Sequence, residues 1–187
     1  MRFFSLTVLV LLGLVTAAAQ AAPLPPRPYS GCGVLLLQPV VGPGPSPIVL
    51  YAEPGLQRVA ELEIPALPRL AGDKQEALVA VSATKGNWLQ LAYDDAGREG
   101  WIEPSRNWEY RTWEEFLAKR MVRVFPGMKK GLYALRGEPR EGSPDRGVLV
   151  RDQQVRVMKI QDDWALLQAP SGWFRWRDGD GRLTVSP

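Results

Sequence analysis

The chain carries one pattern of apolar and polar positions twice. A polar turn is followed by a Trp amid apolar residues, then by a second turn, then by Gly-Trp opening another apolar run. The first copy runs from Gly86-Asn87-Trp88-Leu89 to Gly100-Trp101-Ile102, and the second from Asp162-Asp163-Trp164-Ala165 to Gly172-Trp173-Phe174. Short apolar runs between turn residues predict strands at Ile48–Tyr51, Val59–Ile64, Ala77–Ala83, Trp88–Tyr93 and Gly100–Glu103. In the second copy they predict Val148–Val150, Val155–Ile160, Trp164–Gln168 and Trp173–Trp176, with Leu183–Val185 as a closing strand that pairs with the first strand of its own unit. A period of two places Trp88, Gln90 and Ala92 on one face and Leu89, Leu91 and Tyr93 on the other, and only one set can fill a core. Asp94-Asp95-Ala96-Gly97 reads as a hairpin turn. The repeat predicts an all-β fold of two small β-barrels in tandem.

Between the copies, Thr112-Trp113-Glu114-Glu115 has the spacing of a capping box, which predicts a short helix to about Arg120. The second unit then runs from Val122, and its Pro126-Gly127 turn is aligned with Pro54-Gly55 of the first. The extra residues of the second copy are assigned to the loop Gly137–Gly147. Ahead of the first unit, Pro23–Pro28 and Gly42–Pro47 flank the apolar run Val34–Val41. Prolines at that density prevent a continuous helix, so the run is read as one edge strand inside a loose arm. Pro23-Leu24-Pro25-Pro26-Arg27 is similar to proline-rich ligands of Src homology 3 domains, which makes self-docking conceivable.

The N-terminal segment joins Arg2, an apolar run Phe3–Val15 and the small residues Ala17, Ala18, Ala19, Ala21 and Ala22. This is the order of a secretory leader, and it predicts an exported chain, periplasmic or extracellular, with no stable membrane span once the leader is removed. The expected organisation is a signal peptide at 1–22, a proline-rich arm at 23–47, a first unit at 48–111, a helical linker at 112–121 and a second unit at 122–187. Cys32 is the only cysteine, so no intrachain disulfide forms and each unit depends on its apolar core. Ser30 and Gly31 precede Cys32 as in lipoprotein signals, but Tyr29 and the intervening prolines depart from that pattern, which argues against lipidation.

Charge is uneven along the chain. Residues 23–118 hold 8 basic and 12 acidic side chains, whereas residues 119–187 hold 14 and 8. Two readings follow: the units dock through complementary surfaces, or the basic second unit meets an anionic polymer or surface. Histidine is absent, which removes imidazole bases, His-activated nucleophiles and His metal sites. Asp94-Asp95 and Asp162-Asp163 are read as turn residues, since adjacent carboxylates point apart and do not converge across a cleft. Asp178-Gly179-Asp180 lacks the further ligands of a calcium loop. No phosphate-binding glycine loop follows a strand, so no nucleotide cofactor is expected. No nucleic-acid partner is expected either. No cofactor or metal is expected, and the chain is read as a non-enzyme.

Leu50-Tyr51 with its turn, Trp88 at a strand start, and Gly100-Trp101-Ile102-Glu103-Pro104-Ser105 resemble the bacterial Src homology 3 (SH3b) family. The resemblance covers most of residues 48–107 and, more loosely, 122–182. It implies SH3-like barrels whose ligand lies in an aromatic cleft formed by Tyr51, Trp88 and Pro104, with Trp108 as a further wall. The second copy departs from the pattern, because Arg175 and Trp176 stand where Pro-Ser would be expected. Trp173 and Trp176 are three apart and fall on opposite faces of a strand, so one of them is exposed, and Trp176 is taken as a candidate binding residue there. The resemblance implies a non-catalytic envelope module that binds peptidoglycan or an envelope protein or peptide. The alternatives are a structural or assembly protein with rigidly docked units, and a protein inhibitor.

Overall fold

The computed structural model describes residues 29–37, 47–70 and 77–187. The leader at 1–22, Pro23–Pro28 and nearly all of Gly42–Pro47 lie outside the described residues. The strands are β1 (Gly33–Leu37), β2 (Ile48–Tyr51), β3 (Arg58–Leu62), β4 (Ala77–Val81), β5 (Ala83–Lys85), β6 (Trp88–Ala92), β7 (Glu99–Ile102) and β8 (Glu109–Thr112). Helix α1 (Trp113–Leu117) follows, and then β9 (Met121–Val124), β10 (Ala134–Arg136), β11 (Asp145–Val148), β12 (Gln154–Gln161), β13 (Trp164–Leu167), β14 (Gly172–Arg175) and β15 (Val185–Ser186). The fold is all-β, in three antiparallel sheets ordered β4-β1-β8, β3-β2-β7-β6-β5 and β11-β10-β14-β13-β12-β9-β15. None of the three closes into a barrel through the described strand pairings.

The repeat is visible in the pairing itself. Ser82 separates β4 from β5, and its backbone N–H and hydroxyl both donate to the Gln90 carbonyl, at 2.8 and 3.2 Å. Followed through Ser82, the first half has the order β3-β2-β7-β6-β5/β4-β1-β8, which is the order of the seven-stranded sheet of the second half. A register shift between Val157 and Lys159 marks the same bend in β12. Gly100 and Gly172 occupy equivalent positions for one physical reason. A Cβ on Gly100 would sit 3.1 Å from Leu50 Cβ, and one on Gly172 would sit 3.2 Å from Leu135 Cβ, so a larger residue at either position would force the leucine to give way.

This register corrects the alignment of the turns. Pro54-Gly55 follows β2, whose counterpart is β10, whereas Pro126-Gly127 follows β9, the counterpart of β1. The loop after β10 is therefore the true equivalent of Pro54-Gly55. The strand expected at Val148–Val150 lies earlier, at Asp145–Val148, and the helix stops at Leu117, just ahead of Lys119 with φ 63°. The capping box forms as read: Glu115 N–H donates to Thr112 Oγ1 at 3.3 Å, and Thr112 N–H donates to the Glu115 carboxylate at 3.1 Å. The C-terminal strand pairs with β9, with Val185 opposite Val124, as the closing-strand reading expects.

The largest correction concerns β1, which is not an edge in a loose arm. It lies between β4 and β8, and both its faces are buried. Leu35 and Leu37 join Leu50, Val79, Val81, Leu89, Leu91 and Ile102 in the first core. Val34 points the other way and joins Leu78, then Trp113, Phe116 and Leu117 of α1, and through them the second-half core of Val122, Phe125, Leu135, Leu167, Phe174 and Trp176. A strand covered on both faces needs a continuous apolar run, which Val34-Leu35-Leu36-Leu37 supplies. The two halves therefore meet mainly through an apolar cluster. The ion pair of Arg177 with Glu114, at 3.3 Å, sits beside that cluster.

Trp113 is fully buried at the junction, and its indole N–H has no acceptor. Trp113→Ala is expected to lower the unfolding free energy by about 3–5 kcal/mol. Trp113→Phe, which removes the orphaned donor while keeping most of the ring, should cost less than half of that in a denaturant titration.

Tyr110 in β8 donates to the Cys32 carbonyl and thiol, both at 3.4 Å. Burial first, and the neighbouring Cys32 second, push its phenol well above the ordinary value. A raised folded-state value means this contribution to stability is complete below about pH 10, where the unfolded phenol titrates, and is lost as pH climbs towards the folded value. Stability is thus expected to fall above about pH 10, and less steeply in Tyr110→Phe.

Candidate functional site

Alternation along the strands decides which aromatics reach the surface. In β2, Ile48 and Leu50 are buried, so Val49 and Tyr51 face outward. In β6, Leu89 and Leu91 are buried, so the Trp88 set is the outer one. Tyr51 and Trp88 meet edge to face, with ring centroids 5.3 Å apart and planes at 87°. Trp101 lies on the same side of the sheet, with Tyr51 in β2 and Gln90 in β6 as register partners, but it is covered there and only 9% exposed, so it backs the pair from beneath. The sequence reading missed Trp101, although it stands in the Gly-Trp pair that defines the repeat. Gly55, at φ +72°, turns the chain so that a Cβ there would lie 3.8 Å from the Trp88 ring. An exposed ion pair between Lys85 and Glu53, at 3.2 Å, borders the rings and contributes little stability of its own.

The other expected residues are placed differently. Pro104 is half-buried, two residues beyond β7. Trp108 is half-buried against the first core, and its indole N–H is sealed from any partner, so it does not stand on the outer face. Trp176 is 1% exposed, within the shared core, and donates its indole N–H to the Asp162 carbonyl at 2.8 Å. It presents no surface to a ligand. Of the two tryptophans spaced by three, Trp173 is the partly exposed one.

In the second half the pairing places Arg136 at the position of Tyr51, Trp164 at that of Trp88, and Trp173 at that of Trp101. Arg175 occupies the position of Glu103, and its guanidinium lies 6.0 Å from the Trp164 ring centroid. Arg175 pairs with Glu141, and with Asp163 at 3.7 Å. Arg136 pairs with Asp145 and donates to the Ser143 carbonyl at 3.2 Å. Lys129, Arg136, Glu141, Trp164 and Arg175 line a hollow of about 370 Å³. The same scaffold position thus carries an aromatic face in one half and a face of cations, carboxylates and indole in the other.

The carboxylate pairs are turn elements. Asp94 accepts from the Arg98 backbone N–H at 2.9 Å. That bond above all, helped by the Arg98 guanidinium, holds its carboxyl below the usual range. Asp162 has φ 51° in the turn between β12 and β13. Asp178 Oδ1 accepts from the backbone N–H of Asp180 and of Arg182, both at 2.9 Å, which closes a hairpin turn. Among the described residues no cluster of three potential metal ligands occurs.

Compared with known proteins, the chain matches no family model, no curated protein and no solved structure.

Tyr51→Ala and Trp88→Ala each remove an outward ring and are expected to cost about 1 kcal/mol of stability, the scale of an aromatic pair. Trp176→Ala removes a buried ring and should cost about 3–5 kcal/mol. Denaturant midpoints of the three variants measured side by side check this ordering.

Proposed function

We propose that the chain is an exported, non-catalytic binding module of the cell envelope, built from two SH3-like units, that recognises peptidoglycan or an envelope protein or peptide. The observation that carries this reading is the Tyr51–Trp88 pair, which the first half holds partly exposed on its outer side, backed by the buried Trp101, while its core is filled by other residues. Partly exposed rings such as Tyr51 and Trp88 on a sheet suit the apolar faces of sugar rings and of peptide side chains. The common strand order of the halves supports descent from one small β-unit, in keeping with the resemblance to bacterial Src homology 3 domains. Lys129, on the second-half hollow beside the ion-paired Arg136 and Arg175, suits a carboxylate group on the same ligand. Export rests on the leader at 1–22. Cys32 lies three residues past Tyr29, whose carbonyl accepts from Leu183 N–H at 2.7 Å and whose ring packs on Phe125. Cleavage and lipidation at Cys32 would remove those contacts, so the reading is of an unlipidated protein.

One observation favours a second reading. The apolar cluster that joins Val34, Leu78 and α1 to the second-half core suits a structural or assembly protein whose units act as one rigid body.

Cosedimentation with purified peptidoglycan at low and moderate salt tests the first reading. Retention at both salts is expected, with binding weakened roughly tenfold or more by Trp88→Ala, the scale of losing an aromatic anchor. Loss at moderate salt alone would assign binding to the cations of the second half. No retention at either salt contradicts peptidoglycan as the ligand and favours a protein partner.

A further inference from the structure

The two sheets that carry the outer faces each end in a strand with no neighbour on its outer side among the described residues: β3 in the first half and β11 in the second. These are equivalent strands of the repeat, and both expose apolar side chains. Leu56 and Val59 are 69% and 42% exposed at one edge, and Val148 and Val150 are 68% and 67% exposed at the other. Elsewhere the large apolar side chains are mostly covered, and unpaired edges that carry them are templates for strand addition. The charges at the two edges are opposite on balance. Glu61 and Glu63 lie exposed on or beside β3 and outnumber the exposed Arg58 there, whereas Arg146, Arg151 and Lys130 lie exposed on or beside β11 and outnumber Asp145, which is paired with Arg136. Glu61, Glu63, Arg146, Arg151 and Lys130 take part in no ion pair among the described residues.

We propose that β3 of one copy pairs with β11 of a second copy, so that the chain associates head to tail. An antiparallel register accounts for the side chains on both strands. Ala60 and Leu62 pack on the first core and leave Glu61 outward, with Val59 the extra residue of a bulge opposite Tyr51. On β11, Gly147 faces Leu135 and Val148 is outward, with Arg146 the extra residue of the equivalent bulge opposite Arg136. Placing Val59 opposite Val148 sets Glu61 opposite Arg146 and keeps both inward faces on the same side. Apolar and opposite-charge cross-strand pairs of this kind are favourable, and like charges there are not. Beside the edge, Met128, Tyr133, Val148, Leu149 and Val150 line an open apolar hollow of about 500 Å³. Leu56, a few residues before the proposed pairs, is the apolar side chain available to enter it. Because the two edges belong to different halves, the contact is heterologous, and repetition gives a ring or an open filament.

Sedimentation velocity over a concentration series at low salt tests this on the full chain expressed with its leader, so that cellular processing sets the N-terminus. The average mass is expected to rise with concentration and to fall when salt is added. Glu61→Arg and Arg146→Glu are each expected to weaken association roughly tenfold by opposing like charges, and the double swap should restore it. Val148→Lys should weaken it in either background. Both charge swaps alter exposed residues, and unchanged far-ultraviolet dichroism excludes misfolding as the cause. A monomer at every concentration overturns the proposal. So does an oligomer indifferent to the two edges.

Discussion

Everything else in this molecule depends on β1 being apolar on both of its faces. The strand is five residues long, yet Leu35 and Leu37 fill the core of the first half while Val34 reaches the cluster that contains α1 and the core of the second. Leu78 and Val79 on β4 divide in the same way. A strand with a polar outer face would leave two separate units joined by a linker. Here the sheet β4-β1-β8 is a shared wall, with Trp113, Phe116 and Leu117 of the linker helix packed against its far side. The capping box that starts this helix thus orients a ring the junction cannot do without.

A repeated scaffold frees one copy to change what the other keeps. The inward positions stay apolar in both halves: Leu50 corresponds to Leu135, Val81 to Val157, Leu91 to Leu167 and the two glycines to each other, while Leu89 becomes Ala165 and Ile102 becomes Phe174. The outward positions diverge in kind. Tyr51 becomes Arg136, and Glu103 becomes Arg175, while the indoles of Trp88 and Trp101 have counterparts in Trp164 and Trp173. Core geometry constrains the first set, because a larger group at either glycine meets a leucine. Packing constrains the second set less, since Tyr51, Trp88, Arg136, Trp173 and Arg175 are partly exposed, whereas Trp101 and Trp164 are nearly covered.

Much of this was legible in the sequence, for local reasons. Turn residues and alternation identify most strands, the Thr112-to-Glu115 spacing identifies the helix start, and the spacing of Trp173 and Trp176 shows that they oppose one another. Which of the two is buried depends on register: Gly172 and Phe174 face the core, so Trp173 faces out, and Trp176 lies beyond the strand end with its N–H on Asp162. The place of β1 was not legible. Its proline-rich flanks resemble a tether, and its partners β4 and β8 lie far along the chain. The Pro-Gly turns misled because that chemistry suits many turns and does not identify equivalent ones. Charge asymmetry suggested electrostatic docking, but a sum over sequence does not report which apolar faces remain to be covered. For the candidate site, Tyr51 and Trp88 were legible as a pair, whereas Trp101 entered only through cross-strand register.

The claim that one shared core binds both halves is tested most directly by differential scanning calorimetry of the chain at near-neutral pH. A single transition whose calorimetric and van't Hoff enthalpies agree is the predicted result, since neither half can lose β1, β4 or α1 without exposing the core of the other. Two resolved transitions, each carrying part of the enthalpy, would contradict the account and leave the halves as independent domains.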